Sequence, residues 1–157
     1  MPGASFARSM TSPISVGGIA HLATCVAIDG RAVLIEGPPG AGKSSLALAL
    51  IDRGAVLISD DGVLLTVAAG HVHAHPHPRI AGLIEVRNLG VIAMPTAADV
   101  PVALVLLLDH CAERYVEAAE TVARGGCQVP LLRLWPGSLV LALRAELALL
   151  RFGLACA

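Results

Sequence analysis

The chain has no surplus of basic residues: eleven Lys and Arg stand against twelve Asp and Glu, a formal net charge of −1. A footprint for DNA or RNA shows as a basic excess, so a nucleic-acid partner is not expected. Aromatic residues make up only 3% of the chain, and Trp135 stands too isolated to serve as a base-stacking platform. No apolar run reaches the ~18 residues that a membrane-spanning helix needs. The longest candidate, Val100 to Leu108, is short and contains Pro101, so no membrane partner is expected. The four cysteines, Cys25, Cys111, Cys127 and Cys156, form no C-x-x-C pair, and the N-terminus has no apolar signal-type core. Reduced thiols and a cytoplasmic location are the expectation.

What is abundant is apolar. Such residues reach 55%, with only 15% charged, against a usual apolar share of ~45–50%. A length of 157 residues suggests one domain. A chain of that size buries roughly 68–70% of its unfolded surface and needs no disulfide or metal staple. The excess of Ala, Leu and Val points to buried faces beyond one small core, and hence to a homo-oligomer.

Residues 1–17, rich in Ser, Gly and Pro, read as a loose arm, and residues 18–157 as the domain. Two apolar runs flank Asp29-Gly30, the strongest short-range signal for a hairpin. A glycine-rich turn comes next, then a helix from Ser44 to Arg53 with Gly54 at its end. Val56 to Ile58 reads as a buried strand running into Asp60-Asp61, and Val63 to Val67 begins a second hairpin turning at Ala69-Gly70. Ile84 to Val86, Val91-Ile92, Ala103 to Leu108 and Leu131 to Leu134 read as further strands. Helices are expected over Glu113 to Ala123, closed by Gly125-Gly126, and over Leu139 to Phe152, capped by Ser138. The expected class is α/β: a single P-loop domain with a mixed β-sheet flanked by helices.

Gly37-Pro38-Pro39-Gly40-Ala41-Gly42-Lys43-Ser44 fits G-x-x-x-x-G-K-[ST] in full, with an apolar strand before it and a helix after it. Glycines let successive N–H groups turn inward as an anion cradle, and the helix N-terminus adds partial positive charge. In that role Lys43 reaches the β- and γ-phosphates and Ser44 ligates Mg²⁺, which makes the loop a nucleotide site but leaves NTPases, small-molecule kinases and protein kinases open. Lys43 is also the only lysine, beside ten arginines. A composition that avoids lysine keeps one where a compact ammonium is needed.

Two segments could supply the acid that works with this loop. Val56-Leu-Ile-Ser-Asp60-Asp61 ends eighteen residues after Lys43; Ala103-Leu-Val-Leu-Leu-Leu-Asp109 looks like an ordinary Walker B strand. Asp60-Asp61-Gly62 could equally just turn the chain, and Asp109 could just cap the segment after it. Spacing alone does not choose between them.

Together, His21, the hairpin leading into the glycine loop, Arg53-Gly54, Asp60-Asp61 and Glu85-Val-Arg87-Asn-Leu-Gly90-Val-Ile resemble the catalytic, C-terminal domain of the HPr kinase/phosphorylase family. That family's motifs run H-G, G-x-S-G-x-G-K-S, R-G-x-x-L-V-x-D-D and E-x-R-G-x-G-[IV]-[IL]. The resemblance implies an ATP- and Mg²⁺-dependent serine protein kinase acting on an HPr-type phosphocarrier protein, a homo-oligomer in a family whose members form hexamers, in a short form lacking the family's N-terminal domain. It implies that Asp61 takes the proton of the acceptor serine, with Asp60 and Glu85 beside Mg²⁺. Arg87 would stabilise the transferring phosphoryl group, His21 matches an active-site histidine, and Arg114 is a candidate further arginine. Departures are Pro38-Pro39 in the loop, Asn88 in place of Gly, and Pro136-Gly-Ser-Leu-Val-Leu where the family has P-G-R-N-L-A. The last removes an Arg and an Asn linked to phosphorolysis, so the forward kinase reaction is the better supported. Outside the family, the alternatives are a P-loop module that holds nucleotide for regulation and a small-molecule kinase using Asp109.

His71, His73, His75 and His77 alternate, which would place all four on one face of a strand. Pro76 and Pro78 interrupt that pattern, and i, i+2 ligands do not wrap a tetrahedron without a bend, so no metal role is assigned. The helix from Leu139 to Phe152 reads as a core or subunit-interface element.

Overall fold

Strands buried on both faces read as unbroken apolar runs, and two such runs organise this protein. Arg31–Glu36 (β3) and Val100–Leu108 (β9) pair in parallel at the centre of the main sheet, Val33 opposite Leu104 and Ile35 opposite Leu106. A computed structural model describes residues 18–156; the arm expected over residues 1–17 lies outside them. Thr24–Ile28 (β2) joins β3 through Asp29-Gly30, whose φ angles of +49° and +80° suit a two-residue turn between twisted strands. Val56–Ser59 (β4) closes that edge against β2. On the other side of β9 lies the second hairpin, Val63–Ala68 (β5) and His71–Pro76 (β6), with Ile19–His21 (β1) along β5. The order is β1-β5-β6-β9-β3-β2-β4. Leu83–Val86 (β7) and Gly90–Ala93 (β8) form a separate hairpin.

Period-two alternation divides the buried residues into two cores. Val26, Ile35, Leu104 and Leu106 face Lys43–Asp52 (α1) and Leu141–Phe152 (α2), packing on Leu46, Leu50, Ala145 and Leu149. Cys25, Leu34 and Val105 point the other way and pack on Val63, Leu65, Val72 and Val129. The architecture is the expected mixed sheet flanked by helices, and the second core absorbs part of the apolar excess within one chain. Burial also pushes the Cys25 thiol well above the range in which it ionises.

The helix expected over Glu113 to Ala123 does not form. Glu120–Arg124 (β10) and Cys127–Leu134 (β11) make a hairpin instead, and β11 runs parallel to the C-terminal half of β9. Gly125 and Gly126, with φ of +58° and +86°, turn that hairpin rather than stop a helix. Ala and Glu favour helix locally, but Thr121 and Val122 suit a ladder and β11 supplies the partner, so non-local pairing wins. The last helix begins at Leu141, capped by Val140 without a side-chain bond; Ser138 Oγ accepts from the Val140 N–H at 3.1 Å, too early in the chain to cap it. Pro76 does not interrupt β6 but ends it, opposite Val63.

Candidate active site

β3 ends on Glu36 and α1 begins at Lys43, so the glycine loop is a tight strand-to-helix connection. Gly40 and Gly42 carry φ of +80° and +101°, and a Cβ at either would meet nothing within 4 Å. Glycine is therefore needed for the backbone path, not for lack of space. The first intrahelical bond runs from Leu46 N–H to Gly42 O at 2.9 Å. The N–H groups ahead of it have no acceptor in the helix and are left free to meet an anion. Lys43 Nζ donates back to the Gly37 and Pro38 carbonyls at 3.0 and 3.2 Å.

This loop forms one wall of a cleft of about 670 Å³; the tip of β4 and the β7–β8 hairpin form the others. Asp60 is 5% exposed and fully engaged. Its Oδ1 accepts from Ser44 Oγ at 2.6 Å and Thr24 Oγ1 at 3.1 Å, and its Oδ2 accepts from the Glu85 N–H at 3.1 Å. One carboxylate thus ties β2, α1 and β7 together. Asp61 is exposed and sits at φ +53°, where non-glycine residues are uncommon. The bond from its N–H to Thr24 Oγ1 (3.3 Å) and from the Gly62 N–H to Ala23 O (2.8 Å) hold it there. Asp61 also lines an adjoining cleft of about 400 Å³ with His21, His77 and Arg79. Asn88 takes φ +72° in the β7–β8 turn, so the turn accommodates the residue that replaces Gly.

Of the residues singled out from sequence, Lys43, Ser44, Asp60, Asp61, Glu85 and Arg87 line the first cleft, as do Pro39, Gly40 and Gly42; Gly37, Pro38 and Ala41 do not. His21 stands in the second cleft. Asp109 lines neither. It accepts from the Cys111 N–H at 2.8 Å and from Arg133 at 3.0 Å, and these bonds hold its carboxyl below the usual range. Arg114 lies over the Tyr115 ring, its guanidinium carbon 5.5 Å from the centroid, away from both clefts. Of the alternating histidines, His73 Nδ1 lies 3.0 Å from Asp99 Oδ1 without a hydrogen bond, His75 bonds Thr66 at 2.8 Å, and the His77 N–H donates to Ser59 Oγ.

Three residues escaped the sequence reading: Thr24, Glu36 and Arg124. Glu36 accepts from His21 Nε2 at 2.7 Å and from Arg124 Nε and Nη2 at 2.8 and 2.6 Å. Burial alone would raise its pKa, but the bonds to His21 and Arg124 outweigh that and lower it from 4.5 to about 2. A depressed carboxyl stabilises the fold above its unfolded value and loses that contribution as pH falls through the folded one. Unfolding free energy is therefore expected to drop by on the order of 3 kcal/mol for this group between neutral pH and its folded pKa. Urea unfolding across that acid range checks this; Glu36→Gln should flatten the slope there.

The fold has a counterpart in the structure of the Hpr(Ser) kinase/phosphatase from Coxiella burnetii. The match covers 82% of this chain and 92% of that one, with a TM-score of 0.73 and 26% identity. This is a mixed-sheet α/β protein of that type. The HPr Serine kinase C-terminal domain family matches residues 17–98, more than half of the chain, and the chain belongs to that family. The HPr kinase/phosphorylase of Bordetella petrii is 44% identical over 68 residues, 43% of this chain and 22% of that protein. That of Mycoplasmopsis pulmonis is 47% identical over 70 residues, 44% of this chain and 22% of that protein. The matched part of the chain spans about a fifth of the length of these curated relatives.

Proposed function

We propose that this chain is a serine protein kinase, transferring the γ-phosphoryl group of ATP to a serine of an HPr-type phosphocarrier protein. One observation carries the reading: Lys43, Ser44, Asp60, Asp61, Glu85 and Arg87, drawn from separate segments of the chain, meet in one cleft while Asp109 stays outside it. The small-molecule kinase reading rests on Asp109 and loses its support, since that carboxylate is tied to Arg133 and its own turn.

The loop from Gly37 to Ser44 and the start of α1 are a P-loop that binds the phosphates, with Lys43 free to swing from two carbonyls to the γ-phosphate. The donor set fits Mg²⁺, a hard cation that takes one or two protein oxygens and completes its shell with phosphate and water. Ser44 and Glu85 would hold it. Asp60 would act mainly through Ser44, because its oxygens already accept three hydrogen bonds. When bound, Mg²⁺ neutralises charge on the β- and γ-phosphates. Asp61, exposed at the junction of the two clefts, takes the acceptor serine's proton as that oxygen attacks γ-phosphorus. The bond to the bridging oxygen breaks and ADP leaves with its electron pair. Arg87, from the β7–β8 wall of the cleft, stabilises charge on the phosphoryl group in flight.

The proposed HPr-type partner places the kinase in the cytoplasm; separately, no helix among the described residues is long and apolar enough to cross a membrane. A homo-oligomer, expected from composition, is supported by leucines left exposed along α2 and its approach, Leu139, Leu143, Leu147 and Leu150. The test is intact mass and fragment mapping of a phosphocarrier protein after incubation with the chain and Mg²⁺-ATP. One phosphate on a serine is expected; an unmodified acceptor would refute the assignment.

Phosphorolysis is expected to be weak beside the forward reaction. None of residues 136–141 lines either cleft, and that segment lacks the Arg and Asn found in the family. Pyrophosphate release from phosphoserine acceptor and inorganic phosphate measures it, and a reverse rate equal to the forward one would contradict the expectation.

A further inference from the structure

Phosphoryl transfer through Lys43, Asp61 and Arg87 leaves one polar cluster beside the site unused. Glu36, the last residue of β3, receives Nε and Nη2 of Arg124 on its two oxygens and faces His21 Nε2 at 2.7 Å. The three side chains come from β1, β3 and β10 and are all largely shielded, Glu36 most of all at 12% exposure. A carboxylate held ionised by a forked guanidinium can only accept hydrogen bonds. His21 must therefore donate from Nε2. In the neutral ring, which has a single N–H, that leaves Nδ1 bare, and no hydrogen bond to Nδ1 is found among the described residues.

We propose that Glu36, clamped by Arg124, is a positioning residue for phosphoryl transfer: it holds His21 in the Nε2–H form, leaving a bare Nδ1 available to the cleft shared with Asp61. The inference rests on the reading of Asp61 as the base. The opposite tautomer would offer an N–H to that cleft, where it could bond Asp61 and blunt its ability to take the serine proton. With Nδ1 bare, the histidine accepts a hydrogen bond there and competes for no lone pair of the base. Arg124 serves by fixing the Glu36 fork, which a lysine could not do in two-pronged fashion.

The test reads the tautomer directly, by ¹⁵N imidazole spectra of the full chain, taken at a pH above which the His21 ring signals no longer move. His21 is expected to show a protonated Nε2 and a bare Nδ1. In Glu36→Gln, one amide oxygen cannot satisfy both prongs of Arg124 and the ring, so an Nδ1–H population appears. Serine transfer then falls about 10–100-fold, the size of loss that follows when a metal-bound histidine loses its orienting partner, while ATP affinity stays unchanged. Arg124→Lys shifts both readouts the same way and stands in should Glu36→Gln not fold. An Nδ1–H tautomer in the wild type, or unchanged spectra and rate in the variants, overturns the proposal. A wild type with the expected tautomer but no transfer at all overturns the kinase reading instead, and with it any role in transfer.

Discussion

Asp61→Asn is expected to lose about 10²–10⁴ of serine-transfer turnover, the usual worth of general acid–base catalysis, with ATP affinity little changed. The substitution isolates the chemistry. Asn is among the few residues that tolerate the left-handed backbone found here, φ +53°, so the turn into Gly62 survives. The bond to Thr24 uses the backbone N–H of residue 61 and is also untouched. What disappears is the ability to take a proton. Asp109→Asn is the matched control, since that residue lies outside both clefts and its bonds serve the turn at Cys111 and the pair with Arg133. Its turnover should stay close to wild type. Rates and ATP affinities for the two variants, measured side by side, decide the matter. A dead Asp109→Asn with an active Asp61→Asn would move the reaction to the other strand tip.

Lys43→Ala should cost about 10²–10³ in turnover, the typical effect of removing one positioned donor from a developing charge. No other lysine exists to substitute for it. The alanine also frees the Gly37 and Pro38 carbonyls, which face an open loop and can turn to water, so the fold should persist. Lys43→Arg is expected to rescue little, because a planar fork cannot occupy the place of a compact ammonium inside the loop. Near-normal turnover of Lys43→Ala, with circular dichroism to confirm folding, would contradict the assigned role of the glycine loop.

Features written in consecutive residues are legible without the structure: the Asp29-Gly30 hairpin, the glycine loop with its helix, and the adjacent Asp60-Asp61. Turn chemistry and helix starts depend on a few neighbours, so local reading reaches them. The β10–β11 hairpin is not, because what makes Glu120–Arg124 a strand is a partner that itself leans on β9. Arg124 is lost with that segment. Glu36 stands in plain view before Gly37, yet its partners lie 15 and 88 residues away and only the fold brings them near. The difference between the two aspartates is equally hidden. Sequence shows a pair; the positive φ of the second sends one carboxylate into a buried network and leaves the other exposed at the junction of the clefts.

The fate of the γ-phosphate tests the central claim most directly. A single turnover of γ-labelled ATP with Mg²⁺, the chain and a phosphocarrier protein should place the label on an acceptor serine, and Asp61→Asn should leave it on the nucleotide. Label that stays on tightly bound ATP in the wild type, or leaves only as inorganic phosphate, would contradict the account and make this chain a nucleotide-holding regulatory module.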